Sequence, residues 1–220
     1  MERHFIALLE DVREQLLKMS SLVESNVSLS LKAFMEANSE IAQTVIQNDK
    51  EINLLEVEID DKCMSFLALQ APQACDLRFI GAALKINNNL ERMGDLAVNI
   101  AERTVDFLKT RTVVKPPLNT KEMAVATQKM LKDTMDAFVR KDAAQAREIC
   151  ASDDVIDDLN HKLFHELLEI MREKSTHTEK ALEILLIVKN LEKIADHATN
   201  ICEEIIYMVE GKVIKHHLAD

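Results

Sequence analysis

A segment of eleven residues occurs twice in this chain, 101 positions apart. Leu90-Glu91-Arg92-Met93-Gly94-Asp95-Leu96-Ala97-Val98-Asn99-Ile100 returns as Leu191-Glu192-Lys193-Ile194-Ala195-Asp196-His197-Ala198-Thr199-Asn200-Ile201. A pattern repeated at that distance makes the chain two copies of one unit, so both halves must adopt the same fold. Each copy sets Glu, Asp and Asn four residues apart. On an α-helix four residues advance about 1.1 turns, a drift of roughly 40°, so the three stack along one side of the rod. Earlier segments align too. Ala33-Phe34 matches Ala137-Phe138, and Asp49-x-x-Ile52 matches Asp153-x-x-Ile156, both at an offset of 104. The drop from 104 to 101 places a three-residue deletion at the turn around Pro72. Insertions and deletions belong in loops, which supports that placement.

The repeated unit is helical. Three Gly, three Pro, one Tyr and no Trp in 220 residues leave too little turn chemistry and too few aromatics for a strand-rich fold. Periodic apolar residues (Ile6, Leu9, Val12, Leu16) begin a helix near Phe5 that runs to about Phe34-Met35. Asn38-Ser39 gives a turn and cap before a second helix, with Ile41, Val45, Ile52, Leu55 and Ile59 on one face, to about Ala68. Ala71-Pro72-Gln73 interrupts it, and Asp76 is expected to cap a third helix to about Leu108. The second half repeats the plan. Asn119-Thr120-Lys121-Glu122 opens a helix ending near Arg140-Lys141, and Asp142-Ala143-Ala144-Gln145 opens the next, to about Met171. Thr176-His177-Thr178-Glu179 has the form of a capping box before the last helix. Gly211 is the expected stop. The Pro116-Pro117 pair cannot continue a helix and separates the halves. The organisation expected is all-α: a first three-helix unit at 1–111, a linker at 112–118, and a second unit at 119–220.

The net charge of −11 argues against a nucleic-acid partner, whose phosphates reward positive surface, and against anionic lipid. Metal cations or a basic protein surface suit it better. The longest apolar run, Ile184-Leu185-Leu186-Ile187-Val188, is far short of the ~18 residues a membrane span needs. No leader-like segment precedes the first helix. Cys63, Cys75, Cys150 and Cys202 show no CxxC spacing and read as buried reduced thiols of a cytosolic protein.

The repeated stripes are the candidate site. With Glu91 at zero on a helical wheel, Asp95, Asn99 and Glu102 fall at about 40°, 80° and 20°. Glu192, Asp196, Asn200 and Glu203 repeat those positions, while Leu90, Met93, Ala97 and Ile100 face elsewhere. A solvated helix usually sets Glu against Lys or Arg at i and i+4, for a few tenths of a kcal/mol, roughly 0.2–0.5 per pair. Here like charges occupy those positions, and a cation would reverse the sign. Asp, Glu and Asn are hard oxygen ligands suited to Mg²⁺, Ca²⁺, Mn²⁺ or iron. The candidate metal ligands are Glu91, Asp95, Asn99, Glu192, Asp196 and Asn200. A solvated ridge partly neutralised by Arg92 and Lys193 is the competing reading, and spacing leaves both open. His197 could extend the second stripe. His161 and His165, at i and i+4, have chelating spacing but no HExxH context. No Gly-rich phosphate loop and no nucleophile in a recognisable setting accompany them.

At these residues the chain resembles the PhoU family. The resemblance covers nearly the whole length. It is carried by Gln70-Ala71-Pro72-Gln73-Ala74-Cys75-Asp76-Leu77-Arg78-Phe79, by Ala83-Leu84-Lys85-Ile86, and by both copies of the stripe. It implies two tandem three-helix bundles, six long helices in all, related by pseudo-twofold symmetry. It implies a cytoplasmic negative regulator of phosphate uptake and of the phosphate-starvation (Pho regulon) response. The implied partners are the phosphate ABC transporter ATPase, the phosphate-sensing histidine kinase and a second copy in a homodimer. No nucleic acid and no direct membrane insertion are implied. The family's metal motifs carry over onto Glu91, Asp95, Glu192 and Asp196, with divalent or iron cations (Fe, Zn, Mn or Mg) as the implied ions. One departure is Asn89, where many relatives have Asp; at about 160° from Glu91 it is expected to have little direct effect on the stripe. The resemblance points to a non-enzymatic adaptor. The alternative is a di-iron carboxylate enzyme, which would need a Glu-x-x-His pair at the stripes, and neither stripe has one.

Overall fold

The structure, a computed structural model, describes residues 2–69, 74–109 and 112–214, with side chains left aside for residues 2–5 and 69. Six long helices occupy them: α1 Glu2–Met35, α2 Ser39–Leu69, α3 Ala74–Lys109, α4 Leu118–Arg140, α5 Ala143–Glu173 and α6 Thr178–Glu210. No strand occurs among the described residues. Helices α1, α2 and α3 pack on one another as one bundle, and α4, α5 and α6 as another.

The two α-hairpin turns have the same chemistry. Ala37 and Lys141, 104 positions apart, both adopt left-handed backbone (φ 52° and 53°) and end α1 and α4. The next residue's N–H reaches back to a helix carbonyl, Asn38 to Ala33 at 2.9 Å and Asp142 to Ala137 at 3.0 Å. That same residue then caps the following helix. Asn38 Oδ1 accepts from the Glu40 and Ile41 amides, and Asp142 Oδ1 accepts from the Gln145 amide at 2.9 Å. Asp142→Ala is expected to cost about 1 kcal/mol of stability, the ordinary value of an N-cap, read from the urea midpoint at unchanged slope.

Two expected caps and one expected helix start differ from the structure. A 3₁₀ turn at Ser175–His177 takes up Thr176, so the capping box does not form, and His177 before α6 makes no side-chain cap. Helix α3 starts at Ala74, which puts Asp76 inside the first turn, where its charge favours the positive end of the helix dipole. Pro117 precedes α4 without a side-chain cap, and Asn119 instead donates to Glu166 at 2.6 Å. The expected break at 71–73 lies outside the described residues.

The core follows the repeat. Leu90, Met93, Ala97 and Ile100 are buried, as are their equivalents Leu191, Ile194, Ala198 and Ile201. Equivalent helices also meet across the joint, α1 with α4 and, most extensively, α3 with α6. Polar contacts fix the α3–α6 direction. Lys85 pairs with Glu204, Asn89 with His197, and Arg103 with Glu183, and Lys180 lies over the Phe107 ring. As the α3 position rises from 85 to 107, its α6 partner falls from 204 to 180. The helices are antiparallel, and the series is symmetric about Met93 and Ile194, which are repeat equivalents. This is the pseudo-twofold relation between the halves. Of the cysteines, Cys63 and Cys202 are buried, Cys150 is half-buried and Cys75 is exposed, so burial does not extend to all four.

Candidate functional site

Glu91 and Asp95 project from α3 beside α2, and α2 meets them with carboxylates of its own. Gly94 permits the approach. A Cβ there would come within 3.2–3.3 Å of Ile52 side-chain carbons and 3.4 Å of Asp49 Oδ1. With the side chain absent, α2 brings Asp49 against α3. Asp49 Oδ2 accepts from Asn53 at 2.8 Å, while its Oδ1 is buried without a hydrogen-bond partner. Asn87 on α3 clamps the same groove, donating to the Glu56 carbonyl and to Asp60 Oδ1, both at 2.9 Å.

Glu91, Asp49 and Glu56 hold their protons more tightly than usual. Burial raises Glu91, Asp95 adds to it, Arg92 opposes it, and Glu56 and Asp49 add further repulsion. Burial likewise raises Asp49, against the Asn53 hydrogen bond and with the Asp95 charge. Glu56 is raised by burial and by Asp60. Arg92 reaches Glu91 and Asp95 at 3.5 Å each from an exposed position, so these are ordinary surface pairs of small net strength.

The second half builds the same object between α5 and α6. Asp153 and Asp157 of α5 face Glu192 and Asp196 of α6. Asp153 is pushed up to about 6, first by burial and then by Asp157 and Asp196, with a Thr199 hydrogen bond opposing. Asp157 is raised by burial, Glu192 and Asp154, and Asp196 by burial, Glu192 and Asp157. Lys189, rather than Lys193, pairs with Glu192, at 3.0 Å, because it lies one turn back on the same face. Asn160 donates to Glu192 at 2.7 Å, and its own Oδ1 is buried and unpartnered.

Under the 104-residue offset, Asp49, Asn53 and Glu56 correspond to Asp153, Asp157 and Asn160. Each groove therefore has two carboxylates and one amide on its α2 or α5 side, with the amide and the second acid exchanged. Each has the same Glu and Asp on its α3 or α6 side. The sequence marks these α2 and α5 residues as site residues only through the repeat of Asp49 as Asp153.

The remaining expected site residues lie apart. Asn99 is exposed and Asn200 half-buried, both further along the drift of the stripe, and neither hydrogen-bonds the carboxylates. His197 does not extend the second site. It donates from Nδ1 to Asn89 Oδ1 at 2.8 Å, across the joint. Burial, then the Arg92 and Lys193 charges, hold its pKa low and its ring neutral. Asn89 thus serves the contact between halves, as its wheel angle away from the stripe suggests.

Among the described residues, no three His, Cys, Asp or Glu side chains converge closely enough to hold a metal ion as they stand. The donor chemistry of both grooves nevertheless fits a hard cation: oxygen ligands only, mutual repulsion that a cation relieves, and the bare buried Asp49 Oδ1.

The PhoU domain model matches twice, at residues 16–104 and 120–205. The chain is 38% identical, over 94% of its length and 94% of the relative's, to a protein of Aquifex aeolicus named phosphate-specific transport system accessory protein PhoU homolog. A Pseudomonas aeruginosa protein of the same name is 36% identical over 97% of this chain and 88% of its own. The crystal structure of PhoU from Pseudomonas aeruginosa superposes with a TM-score of 0.92 at 36% identity, covering 94% of this chain and all of that one. The phosphate transport system regulatory protein PhoU from Streptococcus pneumoniae superposes at 0.89 with 29% identity, covering 96% and 99%. With both halves matched and the same six-helix architecture, this chain belongs to the PhoU family.

Proposed function

We propose that this chain is a cytoplasmic negative regulator of phosphate uptake and of the phosphate-starvation response. It acts as a non-enzymatic adaptor between the ATPase of the phosphate ABC transporter and the phosphate-sensing histidine kinase. The observation that carries this reading is the double domain match, joined to relatives named as accessory proteins of phosphate transport. No described helix is long and apolar enough to cross a membrane, which fits action at the transporter's soluble subunit. The chain works as a homodimer, and its two carboxylate grooves take divalent or iron cations. Asp49, Glu56, Glu91 and Asp95 would hold the ion in the first groove, and Asp153, Asp157, Glu192 and Asp196 in the second. The ion would supply positive charge to two grooves that otherwise repel themselves.

The test is affinity capture with tagged protein from cells grown in high phosphate. Co-purification of the transporter ATPase and the kinase is expected. Retention of neither overturns the adaptor role.

A further inference from the structure

His161 and His165 on α5 belong to neither groove nor core. Both are exposed. Their Nε2 atoms are 3.2 Å apart, and the rings meet edge to face with centroids 4.6 Å apart. Phe164 packs edge-on against His165 at 5.6 Å, restricting that ring. Two imidazole nitrogens bound to one zinc-class ion at about 2.0–2.1 Å, at a tetrahedral angle, lie about 3.4 Å apart. The observed separation is within about 0.2 Å of that value, so the two nitrogens already have the spacing of a chelating pair, and modest ring rotations bring both lone pairs onto one ion. In the free protein the pair shares one ring N–H. Coordination needs both Nε2 lone pairs, so that proton passes to Nδ1 of its ring.

The repeat does not carry this pair in its first half. Under the 104-residue offset the first half has Val57 and Asp61 at these positions. Buried residues keep that register along both helices, Ile52 with Ile156, Leu55 with Leu159 and Ile59 with Leu163, so the comparison is in phase. The surroundings carry more acid than base: Asp157 and Asp158 lie one turn before His161 and Glu166 follows His165, against Lys162, while Glu169 is paired with Arg172 at 2.6 Å.

We propose that His161 and His165 form a two-imidazole site for a late first-row divalent ion of the zinc, nickel or copper class. Imidazole selects these ions, whereas the oxygen-only grooves select harder ones. Two protein ligands leave the other coordination positions to water or to a donor from another molecule.

The experiment is calorimetric titration of the full chain with NiCl₂ in a Cys75→Ser background, which removes the exposed competing thiol. Histidines elsewhere in the chain contribute equally to every variant. His161→Ala/His165→Ala is expected to lose one binding equivalent, and either single substitution to weaken it about tenfold. Asp153→Asn/Asp196→Asn is expected to keep that equivalent. An unchanged isotherm in the double-histidine variant overturns the proposal. So does loss of the equivalent in the carboxylate variant, which would place the ion in the α5–α6 groove.

Discussion

Lys85→Ala is expected to lower the unfolding free energy by about 1.5–3 kcal/mol, the range for a hydrogen bond to a charged group. Glu204 is 2% exposed, and Lys85 Nζ approaches both its oxygens, at 3.0 and 3.2 Å. The lysine itself is about half exposed, so its own charge returns to water freely. The cost is that of removing the Lys85 hydrogen bonds from a carboxylate buried in the joint. Lys85 also lies 5.6 Å above the Tyr207 ring, so alanine removes packing as well. The pair ties α3 to α6, hence one repeat to the other, and its loss loosens the joint rather than either bundle. Glu204→Gln in the same chain removes the charge that Lys85 pairs with. The double variant should therefore be more stable than Lys85→Ala alone, by more than the roughly 0.5 kcal/mol scatter of independent sites. Urea unfolding of the three variants measures this. Simple additivity would show that Glu204 is not held by Lys85.

The second expectation has the opposite sign. Asp153→Asn should stabilise the metal-free protein by about 1–2 kcal/mol near neutral pH. Asp153 titrates near 6 in the folded chain against an ordinary 3.8, because burial and the Asp157 and Asp196 charges resist its ionisation. Unscreened, that difference is worth about 3 kcal/mol; water in the groove reduces it. The native state binds this proton more tightly than the unfolded state. The resulting stability is fully present below about pH 4, and it is lost as pH rises through about 6. Asp157 and Asp196 are raised by the same mutual repulsion and act in the same direction. In chelator, the wild type should melt higher near pH 5 than near pH 7.5, and Asp153→Asn should flatten that difference. Manganese should stabilise the wild type at neutral pH, and the variant less. Equal melting points at both pH values would mean that the groove carboxyls are not strained.

Much of this architecture was legible in the chain itself. The repeat offset gives two equivalent units, and the equivalent turns at Ala37-Asn38 and Lys141-Asp142 show how literally the second copies the first. Local signals failed where a neighbouring segment decides. Thr176 and Glu179 have capping-box spacing, but a 3₁₀ turn occupies the place where the cap must be extended. His197 follows Asp196 in sequence, yet its side chain is claimed by Asn89 of the other half, 108 residues away. The spacing sets the stripe along one side of one helix. Helical spacing shows which residues share a side, not what lies opposite, and so cannot distinguish an exposed ridge from the wall of an acidic groove. Asp49, Glu56, Asp153 and Asp157 complete the grooves only because α2 and α5 turn those faces toward α3 and α6. Gly94, an unremarkable residue in the motif, sets how closely the first pair of helices approaches.

That both grooves are cation sites is tested most directly by the metal content of purified protein. The wild type and Glu91→Ala/Asp95→Ala are charged with manganese or ferrous iron, desalted and submitted to elemental analysis. The variant is expected to lose the metal of the first groove, keep that of the second and retain its helical circular dichroism. Metal content equal to the wild type would show that Glu91 and Asp95 are not ligands, and would contradict the assignment.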